Sequence, residues 1–224
     1  MTAVLVILTI LVFVGIDAIV MAFRRRHAPV PSAQTVVAML EPRPPQGIFL
    51  DPHHSWVRIT ADGTLRVGVD DFLTEAVGDI EGVEAPARGT QVKRGDPLLT
   101  LRIKGKSLVV PAPISGEIVG VNDHVATQPW TVNRDPYGVG WIVALWTRDH
   151  HDAIKPLRIG TAAAAFLRTE LQRLADFLTP TGTAATVPLL ADGGIPRRGV
   201  LAAAGDEQWV AFQREFLSPS NEEA

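Results

Sequence analysis

Between Ile48 and Trp146 the chain is cut into short alternating runs by Gly, Pro and Asp. Runs this short leave no room for long helices. Alternation puts apolar side chains on one face of each strand, and the frequent turn residues return the chain on itself. "WVRIT" and "TLRVGV" flank "ADG", two period-2 runs around an Asp-Gly turn, which predicts a hairpin. Further strands are predicted over Pro97–Ile103, Ser107–Val110, Gly116–Val121 and Gly140–Leu145. The pattern is that of a mainly β barrel or sandwich. One short helix interrupts it: in "DDFLTEAVGD", Phe72, Leu73, Ala76 and Val77 recur at helical spacing behind Asp70, a side chain suited to capping the first turn.

A different constraint acts on the N-terminus. Residues Ala3 to Phe23, "AVLVILTILVFVGIDAIVMAF", are almost entirely apolar. As a helix they extend about 30 Å, the thickness of a bilayer core. A cleaved signal peptide would need a basic residue before the run and a shorter core. Here Arg24, Arg25 and Arg26 follow the run instead, which predicts a single-pass anchor with its N-terminus outside and the remainder cytoplasmic. The expected location is therefore the inner (cytoplasmic) membrane of a bacterium. Asp17 interrupts the run. It either reaches the interface, sharing a helix face with Arg24, or meets a polar group of another membrane helix. Residues 1–26 are thus read as anchor and basic stop, and 27–47, with Pro42, Pro44 and Pro45, as a Pro-rich linker.

Composition narrows the chemistry. The formal charge is −3, with no basic run beyond Arg24–Arg26, so there is no electrostatic footprint for nucleic acid. Cysteine is absent, which excludes disulfides, thiolate catalysis and Cys-ligated metals. His53–His54 and His150–His151 are adjacent pairs, whose side chains diverge on a strand and so rarely share a metal. No Ser-His-Asp or G-x-S-x-G pattern is visible. The expectation is a protein that is not an enzyme, with no catalytic residue, metal or other cofactor.

An ordered series of segments carries a resemblance. "HSWVRI", "VGVDDFLTEAVGDI", "VEAPARGTQVKRGDPL", "PAPISGEIVGVN" and "PWTVNRDPYGVGWIVAL" follow one another from His54 to Leu145. They resemble the glycine cleavage system H protein and its lipoyl-domain relatives. The resemblance implies a barrel-sandwich hybrid over residues 48–148, a flattened barrel of two sheets. It also implies a lysine at a hairpin tip that carries lipoate and shuttles an aminomethyl group between partner enzymes.

The resemblance fails at that lysine. Counted back from "SGE" at Ser115–Glu117, the family's attachment position falls on Gly105, between Lys104 and Lys106. Arg102, Leu108 and Val109 stand where the family usually places acidic residues. A transferase reads one lysine in one register, and a shift of one residue along a strand turns a side chain to the other face. The sequence therefore predicts a degenerate carrier hairpin, Lys104-Gly105-Lys106. The alternative, left open, is a shifted register with lipoate on Lys104 or Lys106.

Residues 149–224 are expected to form a helical appendage with a disordered tail, "SPSNEEA". Thr161 to Pro180 is predicted as a helix with Thr161 as its cap and Leu167, Leu171, Leu174 and Leu178 as its apolar stripe. Arg168, Glu170, Arg173 and Asp176 are read as lying mostly away from that stripe. A last helix, about Asp206 to Leu217, presents Trp209, Phe212 and Phe216 on one face. That face either packs within the chain or docks another subunit. The functional expectation is a membrane-anchored accessory or structural subunit that uses an armless carrier fold to dock other subunits of a membrane complex, for example one for respiratory or photosynthetic electron transfer. The alternative is an active lipoyl carrier serving a membrane-associated enzyme.

Overall fold

The computed structural model describes residues 44–178 and 198–218. Its first strands are β1 (Phe49–Leu50), β2 (Ser55–Ile59) and β3 (Leu65–Val69). Helix α1 (Asp71–Val77) opens on Asp70, whose carboxylate accepts from the Leu73 N–H at 2.9 Å, the cap that the sequence suggests. Strands β4 (Gly82–Glu84), β5 (Gln91–Val92), β6 (Pro97–Ile103), β7 (Lys106–Pro111) and β8 (Gly116–Val121) follow. Two one-turn helices, α2 (Asp123–Thr127) and α3 (Trp130–Arg134), precede β9 (Val143–Trp146). Beyond it lie α4 (His150–Ile154), β10 (Arg158–Ile159) and the long α5 (Thr161–Leu178). The last described residues form a 3₁₀ turn (Leu201–Ala203), α6 (Asp206–Phe212) and one π turn (Gln213–Leu217).

The strands make two antiparallel sheets, one of seven strands ordered β10-β1-β2-β3-β9-β8-β5 and one of three ordered β4-β6-β7. Alternation explains their contact. Val57, Leu65, Val67, Val143 and Leu145 of the large sheet and Leu99, Leu101, Ile103 and Leu108 of the small one are all withdrawn from solvent. Their polar neighbours Arg66 and Arg102 stay outside. Trp56 is fully buried and its Nε1–H donates to the Val69 carbonyl at 2.9 Å; Trp141 is half-buried, and Trp146 is exposed at the rim.

Residue 148 is not a physical boundary. β10 pairs with β1 through Phe49–Ile159 and Leu50–Arg158, so the appendage supplies a strand to the large sheet. Helix α5 then packs Ala163, Leu167, Leu174 and Leu178 into the same core. Thr161 is already helical, and Gly160 takes the capping position, its carbonyl accepting from the Ala164 N–H. No helix among the described residues is long and apolar enough to cross a membrane. The expected anchor at 3–23, Asp17, Arg24, Arg25, Arg26 and most of the linker lie outside the described residues, as do Pro180 and nearly all of the C-terminal tail.

Candidate functional site

The β6–β7 hairpin turns on two residues. Ile103 and Lys106 are its last pair, and Lys104 and Gly105 between them both have positive φ, +47° and +77°. Two positive-φ residues in a two-residue loop are the mark of a type I′ turn, whose twist matches that of the strands it joins. Glycine takes that conformation without steric cost, and a Cβ at 105 would meet nothing within 4 Å. The tip is therefore open to solvent and carries no side chain where the resemblance puts the arm.

The two flanking lysines differ. Lys104 is exposed and has no hydrogen bond or ion pair among the described residues. Lys106 is half-buried and held in place. Its Nζ donates to the Ala204 carbonyl at 2.5 Å, lies 3.2 Å from the Asp206 carboxylate and sits 5.4 Å from the centre of the Trp209 ring. The Trp209 Nε1–H in turn donates to the Ser107 carbonyl at 2.9 Å. Arg102 faces Glu84 at 3.4 Å, but both are 59% exposed, so water screens the pair.

The aromatic face of the last helix is thus occupied by the chain itself. Trp209, Phe212 and Phe216 are 5%, 0% and 2% exposed, which rules them out as a free docking face for another subunit. The physical reason is tethering. Burying a large apolar side chain is worth about 1.5–3 kcal/mol, and a segment of the same chain gains it without the association entropy that a separate subunit must overcome. Phe212 and Phe216 stack at 4.7 Å, and Phe177 of α5 meets both edge-on.

A second cluster joins the same elements. His54, in the β1–β2 turn at φ +62°, is wholly buried between two carboxylates. Its Nδ1 lies 2.9 Å from Asp70 and its Nε2 lies 3.4 Å from Glu170 on α5. Arg173 binds both oxygens of Glu170 at 2.8 Å. The rings of Phe72 and Phe166 stack on the imidazole at 4.1 and 5.6 Å. Burial alone would depress the imidazolium, but the Asp70 charge and the hydrogen bonds to Asp70 and Glu170 outweigh it and raise His54 to about 9. Burial likewise favours a neutral Glu170, yet hydrogen bonds from His54 and Arg173 hold its carboxyl below the usual range. Nearby, burial and then the Asp70 charge push the Asp71 carboxyl up, although Tyr137 donates to it at 2.7 Å.

Glu170 was expected mostly off the apolar stripe, and it is instead on the buried face, 3% exposed. Its spacing carried the signal: it stands three residues after Leu167 and four before Leu174. Among the described residues no group of His, Asp and Glu could hold a metal ion. The His54 cluster is sealed from solvent and suited to tying elements together.

The glycine cleavage H-protein family model matches residues 48–170, more than half of the chain. The chain belongs to the glycine cleavage H-protein family. Among its relatives, a protein named probable glycine cleavage system H protein from Pyrococcus furiosus is 34% identical over 124 residues, 55% of this chain and 92% of the relative. The glycine cleavage system H protein of Enterobacter sp. strain 638 is 37% identical over 126 residues, 56% and 97% of the two chains. The crystal structure of a glycine cleavage system H protein from Mycobacterium marinum matches with 30% identity and a TM-score of 0.49, over 55% of this chain and 97% of that one. The mainly β, lipoyl-domain-like fold expected for this family is the one found. The H-protein match ends at residue 170, so the partners of Lys106, namely Ala204, Asp206 and Trp209, lie beyond it.

Proposed function

We propose that this H-protein family member is a non-catalytic accessory subunit that uses a carrier fold, without its swinging arm, to dock other subunits of a membrane complex. One observation carries the reading: the hairpin tip at the family's attachment position is Gly105, at φ +77°, and offers no amine. The nearest shift of register to the C-terminal side would use Lys106, whose ammonium is already engaged by Ala204, Asp206 and Trp209. Residues 3–23, as the expected anchor, would raise the effective concentration of the β domain near membrane partners.

A second reading rests on Lys104. It is exposed at the same tip, so an attachment enzyme tolerant of a one-residue shift would find its amine there. In that case the chain is an active lipoyl carrier. The test is the intact mass of the protein purified in mild detergent from its native membrane, with co-purifying proteins identified and quantified. An unmodified mass with stoichiometric membrane partners supports the armless subunit. A lipoyl-sized addition mapped to Lys104 overturns it in favour of the carrier.

A further inference from the structure

We propose that residues 198–218 are a cap, acting within the chain, that closes the free edge of the carrier hairpin and sequesters Lys106, leaving Lys104 as the exposed amine beside the tip. The inference deepens the docking reading above, because it states which part of the hairpin another molecule can reach.

Strand β7 is the outer strand of the three-stranded sheet, so its far side offers backbone groups to whatever strand or side chain arrives. The cap meets that need without adding a strand. The indole N–H of Trp209 takes the Ser107 carbonyl, while the Lys106 ammonium is turned back onto the cap, donating to the Ala204 carbonyl and pairing with Asp206. Donor and acceptor are thus exchanged in both directions between strand and cap. Phe212 and Phe216 supply the apolar seal behind these bonds.

The other end of the cap is fastened as specifically. The Gly199 N–H donates to the Glu75 carbonyl at 2.7 Å, and Gly199 approaches Gly78 so closely that a Cβ on Gly78 would lie 2.7 Å from the Gly199 Cα. Arg198 reaches Asp79 at 3.4 Å. The cap therefore spans from the end of α1 to the hairpin, and it lies outside the stretch that matches the family. A molecule approaching β7 from its free edge meets the exposed Asp206, Glu207 and Val210 of the cap. Lys104 projects clear of it.

Amine acetylation of the full-length chain in mild detergent, followed peptide by peptide by mass spectrometry, tests the cap. An N-hydroxysuccinimide ester of acetate is the probe. Protection by a closed state scales with how rarely it opens, so Lys106 should react at least about tenfold more slowly than Lys104. In Trp209→Ala the Lys106 rate should rise to within about twofold of the Lys104 rate, with Lys104 itself unchanged. Equal rates in the unaltered chain, or an unchanged Lys106 rate in Trp209→Ala, would overturn the proposal. Should Trp209→Ala unfold the domain, seen as loss of its β-sheet circular dichroism, Trp209→Phe decides. Phenylalanine keeps a buried ring but cannot donate to the Ser107 carbonyl, so the cap should still loosen and Lys106 accelerate; no acceleration counts against the cap. The two readings fail separately. Lipoate on Lys104 would end the armless subunit while leaving Lys106 slow, and a fast Lys106 on an unmodified chain would end the cap alone.

Discussion

Raising the pH from 6.5 to 9 should weaken this fold through one residue, His54. Its imidazole releases a proton at 6.5 when unperturbed and at about 9 in the folded chain. Below pH 6.5 both folded and unfolded states hold the proton, and the stabilisation is complete. Above it the unfolded state loses the proton while the folded state keeps it, so unfolding becomes easier by about 1.4 kcal/mol per pH unit. Roughly 3 kcal/mol is gone by pH 9, a large part of the 5–15 kcal/mol that typically holds a domain together. The charged groups facing the imidazole are Asp70 at the start of α1 and Glu170 on α5, with Arg173 behind Glu170; Phe72, Phe166 and Phe216 complete the surroundings with uncharged rings. Glu170 has the opposite dependence. Its carboxyl is held below 4.5, so its contribution is present above that value and is lost only as pH falls through the folded pKa, outside this window. The assay is urea unfolding of the full-length chain in nonionic detergent, followed by tryptophan fluorescence at pH 6.5, 7.5 and 8.5. The midpoint should fall along the series. His54→Gln should be less stable at every pH, by about 3–5 kcal/mol at pH 6.5, since the buried Asp70 loses its cation and Glu170 keeps only Arg173, and this slope should vanish. A midpoint in the unaltered chain that does not move between pH 6.5 and 8.5 would refute the reasoning, because His54 would then not be holding its proton.

Gly199→Ala should cost on the order of 1–3 kcal/mol, since Gly199 has φ +75° and an added Cβ would lie 3.2 Å from the Gly78 Cα. Loosening that end of the cap should also speed acetylation of Lys106. Asn133→Ala removes the acceptor of the Ile80 N–H at 2.9 Å and the donor to the Gly78 carbonyl at 2.7 Å. A loss of about 1–3 kcal/mol is expected in a chemical melt, from backbone groups left without partners. Removal of residues 1–26 should release a soluble chain with the β-sheet circular dichroism of the parent; an insoluble, unfolded product would count against the anchor boundary.

The elements whose limits were legible are those whose cause is local. Strands β6 and β8 have the bounds that their alternation predicts, and Asp70 caps α1 as its side chain suggests. The one-turn helices α2 and α3 were not legible, because five residues are too few to display a period. The His54 cluster was out of reach for another reason. His54 and Glu170 are 116 residues apart, and neither identifies the other until β10 and α5 are folded back on β1 and α1. Read from the helix alone, Glu170 shared a face with Leu167 and Leu174; the Arg173 guanidinium and the imidazole opposite it together make burial of that charge acceptable.

By itself the sequence determined the alternating strands, the order of family segments and the glycine at the carrier tip. These follow from spacing and side-chain chemistry that act within a few residues. Tertiary structure decided what each exposed-looking face is covered by. It turned the aromatic face of the last helix inward onto the hairpin, and it separated two lysines that the sequence leaves equivalent, engaging the half-buried Lys106 and presenting Lys104. Periodicity states which side chains share a face, whereas burial depends on what packs opposite, and that is fixed only when distant segments meet.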